Sequence, residues 1–224
     1  MILSRRTLIS TGVAALAMPS VARAQTASRR YRLDRAGSEI GTHDISIGRS
    51  GDTLTVDVSI AIAVRVLGLV AYRYEMTSRE IWQNGMLRSI RSRSDNNGDA
   101  TFVNADWSGS VIRINGSAFS GTADADVGTT SYWNPAILDR PVWISTQGGT
   151  PLDIRATRTG TASYPVSGGT VATTAYALGA ELPATVHYTA SGEWAGSTFD
   201  ARGSQVTYIA DSLSPAFAEI WSES

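Results

Sequence analysis

Residues 53–67 alternate without interruption. Leu54, Val56, Val58, Ile60, Ile62, Val64 and Val66 fall on one face, and Thr53, Thr55, Asp57, Ser59, Ala61, Ala63 and Arg65 fall on the other. A period of two held this long, largely by β-branched residues, specifies a half-buried strand and excludes a helix. The second face turns small at Ser59, Ala61 and Ala63, which leaves room for a close approach there. Alternation of this kind dominates from Arg29 onward, punctuated by Ser50-Gly51-Asp52, Asn84-Gly85, Asn97-Gly98-Asp99, Ser108-Gly109-Ser110, Ser167-Gly168-Gly169, Ser191-Gly192-Glu193 and Arg202-Gly203-Ser204. Gly and Asn supply the positive φ that tight hairpins need. Strands joined by hairpins, with no helical crossovers between them, pair antiparallel. The expectation is an all-β chain with one large curled antiparallel sheet, a half-barrel or barrel of about ten strands, since open sheets of that size curl or close.

Two segments break the period. Asn134-Pro135-Ala136-Ile137-Leu138-Asp139-Arg140-Pro141 offers an N-cap, a Pro at the first helical position and a terminating Pro, which predicts a short mid-chain helix. Trp133 and Leu138 are spaced for a hydrophobic staple across its start. At the C-terminus Ser214 caps, Pro215 follows, and Phe217, Ile220 and Trp221 share a face. So short a helix is stable only when docked.

The first residues read as an address. Ser4-Arg5-Arg6-Thr7-Leu8-Ile9 leads into an apolar run over residues 8–21, and Ala22-Arg23-Ala24 supplies small residues at a cleavage site. The run falls short of the roughly 20 residues that span a bilayer, and the twin arginines match a Tat export signal. The expected division is a signal peptide at 1–24, cleaved after Ala24, then one antiparallel β domain over 25–210 and a C-terminal docking tail at 211–224. The destination is the periplasm, with no membrane anchor left after cleavage.

Composition removes several chemistries. The chain has no Cys, and its 19 basic residues are all Arg. That excludes thiol nucleophiles, disulfides, cysteine metal sites, Schiff bases and Walker-type phosphate loops. Loss of three arginines with the signal leaves a net charge of −4. A mildly acidic protein with dispersed arginines is a poor partner for nucleic acid or anionic headgroups.

With the twin-arginine start, Gly41-Thr42-His43-Asp44-Ile45, Tyr132-Trp133-Asn134-Pro135, and a hairpin from Val186-His187-Tyr188 through Gly192 to Val206-Thr207-Tyr208, the chain resembles uncharacterised, domain-of-unknown-function families of exported proteobacterial β-proteins. The penultimate hairpin departs from that pattern, with His187-Tyr188-Thr189 where Trp-Tyr-Asp is typical. The resemblance implies a fold and an address, and no residue roles.

Only His43 and His187 offer imidazole chemistry. Paired with a carboxylate they would make a hydrolase or lyase, yet no closely spaced metal ligands and no G-x-S-x-G elbow accompany them. No metal and no cofactor is expected. Asp124 with Asp126 reads as a turn, and Glu75 with Glu80 as cross-strand ion pairing. Arg73, Arg79, Arg88, Arg91 and Arg93 around Asn84-Gly85 read as a hydrated outer face, since the glutamates interleave with them.

The aromatics carry the leading idea. Val70, Tyr72, Tyr74, Met76 and Trp82 share parity, while Tyr132, Trp133 and Trp143 bracket the short helix. A curled sheet with an aromatic interior and a helix across its mouth suits an apolar ligand. The same stripe also suits a filled core. The reading is a periplasmic binding or carrier module for an apolar or lipid-like molecule, with Tyr72, Tyr74, Trp82, Trp133 and Trp143 as lining or lid residues. An envelope protein that binds a partner along a sheet edge is the alternative, and an enzyme using His43 or His187 is the third.

Overall fold

The structure, a computed structural model, describes residues 25–222. The expected signal and its cleavage site lie outside the described residues. The chain first forms a meander of eight strands: β1 (Gln25–Arg35), β2 (Ser38–Ser50), β3 (Thr53–Val66), β4 (Leu69–Gln83), β5 (Met86–Asn96), β6 (Asp99–Trp107), β7 (Val111–Gly116) and β8 (Ser120–Asp124). It then enters the curl of its own sheet as β9 (Gly128–Thr129), a 3₁₀ helix (Pro135–Asp139), β10 (Val142–Ile144) and β11 (Pro151–Asp153). A second meander follows: β12 (Thr157–Val166), β13 (Gly169–Ala177), β14 (Ala184–Tyr188), β15 (Trp194–Asp200) and β16 (Gln205–Ala210). Helix α1 (Pro215–Ser222) ends the described chain.

The two meanders join where β1 pairs with β16, so one antiparallel sheet of 13 strands runs from β12 through β16 and β1 to β8. Its edges β8 and β12 do not pair, and the sheet is curled without closing. The all-β class and the large antiparallel sheet are as the alternation predicts. The strand number exceeds ten because two hairpins turn at Ala36-Gly37 and Leu67-Gly68, which carry no Asn or Asp signal.

What the curl lacks in closure the inserted segment supplies. Val127, Trp133, Trp143, Ile144 and Ile154 are buried against Val56, Ile90, Ala105 and Ile112 of the sheet. Gly128 of β9 lies flat under the Trp143 indole, where a Cβ would come within 2.7 Å of Cδ1. The Trp143 indole N–H donates to the carbonyls of Ile137 and Arg140 at 3.0 and 3.1 Å, which fixes the ring.

One end of the curl is sealed. Trp82, Trp133 and Trp221 stand edge to face, with ring centroids 5.7 and 5.6 Å apart. Phe217 and Ile220 of α1 are buried beneath them. Arg29 on β1 pairs with Glu193 at 2.7 Å, both side chains 3% exposed, and stacks on Phe217 at 4.6 Å. Glu193 also accepts the Ser214 backbone N–H at 3.0 Å, so one buried ion pair pins the start of α1. The 3₁₀ helix, capped by Asn134 as its sequence dictates, sits at this same end, where Arg140 donates to the Gly85 carbonyl.

Candidate functional site: a cavity at the open end

The opposite end carries the turns at Ala36-Gly37, Leu67-Gly68, Asn97-Gly98 and Arg202-Gly203, and a cavity of about 480 Å³ opens among them. That volume lies within the roughly 300–1,000 Å³ of small-molecule sites. Period two builds the first wall directly. Ile60, Ile62 and Val64 on β3 stand opposite Met76, Tyr74 and Tyr72 on β4, pair by pair. Val206 and Tyr208 on β16 and Phe199 on β15 form the facing wall, while Thr130, Tyr132 and Leu152 of the inserted segment close a side. Gly41 on β2 sits against Ile62, where a Cβ would lie 2.1 Å from the Ala61 carbonyl. Only glycine lets β2 and β3 approach this closely beside the cavity.

His43 lies in the lining at 2% exposure. Its ring stands edge to face with Trp194, Tyr208 and Tyr31 at 5.4, 5.5 and 5.9 Å. Burial pushes its pKa down to about 3, so the imidazole is neutral at neutral pH. Neither ring nitrogen has a hydrogen-bond partner. A buried donor and acceptor left unmade cost free energy. Burial also raises the Tyr132 and Tyr208 hydroxyls and takes Tyr74 up to about 12, so all three stay protonated donors. Arg35 and Arg202 are the charged residues of the lining, and no acidic side chain joins them.

Of the sequence-predicted residues, Tyr72 and Tyr74 lie in this lining, and Trp82, Trp133 and Trp143 do not. The three tryptophans are at most 3% exposed in the filled core. The short helix caps the sealed end and not the mouth, because Ile137 is buried beside Trp143 and Arg140 reaches the Asn84-Gly85 turn. Parity placed the tyrosines and Trp82 on one face correctly, but could not tell which part of that face the inserted segment covers. Ile40, Thr146, Gln147, Leu182 and Phe199 were missed, since they reach the mouth from elements far apart in sequence.

The other candidates separate. His187 stacks on Tyr164 at 4.1 Å and meets Thr173 Oγ1 at 3.2 Å, a cluster distinct from that of His43. Asp44, next to His43, points to the other face and binds Arg30 at 2.6 Å. Glu75 and Glu80 also part company. Glu75 is exposed and accepts from Arg73, whereas Glu80 has opposite parity and is fully buried. Its carboxyl accepts from the Trp82 indole at 2.8 Å and the Thr129 hydroxyl at 3.1 Å, and burial raises its pKa. Arg73 pairs with Glu75, Arg79 with Asp57 and Arg91 with Asp106 on the outer face, while Arg88 stacks on Trp107 at 4.0 Å with its Nε and Nη1 buried and without hydrogen-bond partners. A larger depression of about 890 Å³ lies on that face, but matched pairs such as Arg30–Asp44 and Asp57–Arg79 line it. Among the described residues no three His, Asp or Glu converge as metal ligands.

A family model described as a domain of unknown function, DUF6134, matches residues 31–211. No curated protein matches the chain. Among solved structures it is similar to a crystal structure of a beta-barrel-like protein of domain of unknown function DUF1849 from Brucella abortus. The two share 10% identity over 83% of this chain and 94% of that one, with a TM-score of 0.54, a likeness of fold.

Proposed function

The chain belongs to the DUF6134 family, whose description assigns no activity, and from the open-end cavity we propose that it is a binding or carrier protein for an apolar or lipid-like molecule. The observation that carries this reading is the contrast between the ends of one curl. Tryptophans fill and seal one end, while aliphatic and tyrosine walls at the other surround about 480 Å³. A protein whose interior served stability alone would gain by filling both, since empty apolar space is destabilising. The N-terminal signal supports a periplasmic setting, in which such a protein would hold its ligand away from water. Arg35 and Arg202 supply cationic groups for a ligand's polar end.

Native mass spectrometry of protein purified without detergent, followed by mass analysis of its organic extract, tests this reading. A reproducible adduct in the wild type that is lost in Ile62→Trp, with the fold retained by circular dichroism, supports a carrier. A bare mass, together with no uptake of an added naphthylamine dye, overturns it.

A further inference from the structure

The β3–β4 hairpin outruns its neighbours. Pairing of β2 with β3 stops at Gly41–Ile62, and pairing of β4 with β5 stops at Tyr74–Asn96. Residues 63–73 therefore carry this hairpin as an arm past both neighbouring strands beside the cavity mouth, with Val64 and Tyr72 still in the cavity wall and residues 65–71 beyond it. At about 3.3 Å per residue the tip stands roughly 16 Å beyond Ile62. Its last rungs are Val66, Leu67, Leu69 and Val70, which are 57, 99, 76 and 49% exposed.

Two local rules fail together at this tip. Leu67 has φ +50°, a left-handed conformation costly for a branched side chain. The hairpins at Asn84-Gly85 and Asn97-Gly98 place Asn at the same turn position with φ of 51° and 57°. Asn at 67 would relieve the backbone and remove an exposed apolar group. Nothing inside the fold compensates for Leu, so its use lies outside the fold.

We infer that the arm inserts into the surface of a lipid bilayer. Val66 and Leu69 continue the cavity-side face of Val64 and Tyr72, whereas Val70 stands on the outer face opposite Arg65 and Leu67 caps the tip. A lid closing on the cavity would need only its inner face apolar. Four aliphatic side chains on a convex tip cannot supply the about 800 Å² per partner of a stable protein interface. Their reach matches the roughly 5–10 Å to which interfacial elements enter a membrane. Arg65, facing Val70 in the ladder, and Arg202, over Tyr72 at 5.8 Å, have no carboxylate partner among the described residues. Arg202 and Tyr72 stand at the base of the tip, where lipid phosphates would lie, while Arg65 donates to the Gly68 carbonyl at the turn, at 3.3 Å. The inference stands on the arm and does not depend on what the cavity holds.

The absence of Cys allows one clean test. Full-chain protein carrying an environment-sensitive fluorophore at Leu69→Cys is titrated with vesicles of phosphatidylethanolamine and phosphatidylglycerol, with Ser108→Cys at the sealed end as the control. The expected result is a blue shift at 69 and none at 108. At least tenfold more lipid is needed for half the shift when Leu67→Asn is added, with melting temperature unchanged or raised. No shift at 69, equal shifts at both positions, or a shift at 69 that follows protein concentration without lipid, as a second copy would give, each overturns the inference.

Discussion

Trp82 donates its indole N–H to Glu80, two residues earlier on the same strand face, at 2.8 Å. An apolar ring thereby solvates a carboxyl that water does not reach, and Thr129 of the inserted segment adds a second donor. Glu80→Leu strands these donors and costs about 3 kcal/mol, whereas Glu80→Gln keeps an acceptor and costs about 1 kcal/mol or less at neutral pH. Because burial raises the folded pKa of Glu80, its contribution is greatest below the unfolded value of about 4.3 and is lost as pH rises through the folded one. Urea denaturation across pH should show that component vanish in Glu80→Gln.

His43 acts in the other direction. Its folded pKa is lowered to about 3 from an unfolded value of about 6.5, so the unfolded chain binds the extra proton between those limits. Stability falls as pH drops through that window, by up to about 1.4 kcal/mol per pH unit from this group. His43→Leu should flatten the acid limb of the stability profile. His187, lowered to about 4, keeps part of the slope in that variant.

The Arg29–Glu193 pair is buried and coupled to α1. Arg29→Met leaves a carboxylate without its cation and should cost about 3–5 kcal/mol by chemical denaturation. Adding Glu193→Gln should return most of that loss. Recovery absent from the double variant would mean that packing on Phe217, and not charge, dominates the site.

Gly196 on β15 has φ +151°, and a Cβ there would lie 2.3 Å from the Tyr208 carbonyl and 2.7 Å from the Tyr164 hydroxyl. Gly196→Ala should lower stability by about 3 kcal/mol. Tyr164→Phe, which removes bonds to the Ser197 and Tyr208 carbonyls at 3.0 and 2.7 Å, should cost about 1 kcal/mol. If the glycine variant melts like the wild type, β12 and β15 do not pack as closely as described.

Replacing Leu67 by Asn should raise stability by about 1 kcal/mol, the scale of the left-handed penalty. A thermal melt reads this separately from any membrane experiment.

Strands and hairpins were legible wherever local chemistry announced them. Residues 53–67 alternate and form β3, and each of the seven glycine turn signals falls at a turn with glycine φ positive. Asn134-Pro135 and Ser214-Pro215 began helices, one of them 3₁₀. The turn at Leu67-Gly68 was not among the turn signals because its left-handed residue is one that disfavours that conformation. The cavity was legible only as an apolar face. Which part of it stays uncovered depends on β9, β10 and β11, strands of two or three residues with no periodicity to read. Glu80 was hidden by its neighbour Glu75, although parity alone separates them.

Because β1 pairs with β16, a ribosome completes this sheet at its middle. The first meander can zip strand by strand as it emerges, yet its β1 edge stays bare until the last strand arrives about 170 residues later. Tyr31 and Leu33 wait through that interval for Ala210 and Tyr208. Such sequence-distant closure is slow and leaves an unpaired edge open to other chains. The late steps of synthesis are therefore when this molecule is most exposed to aggregation. A chain stopped before Gln205 would lack the strand that joins its two halves, whatever the quality of each half alone.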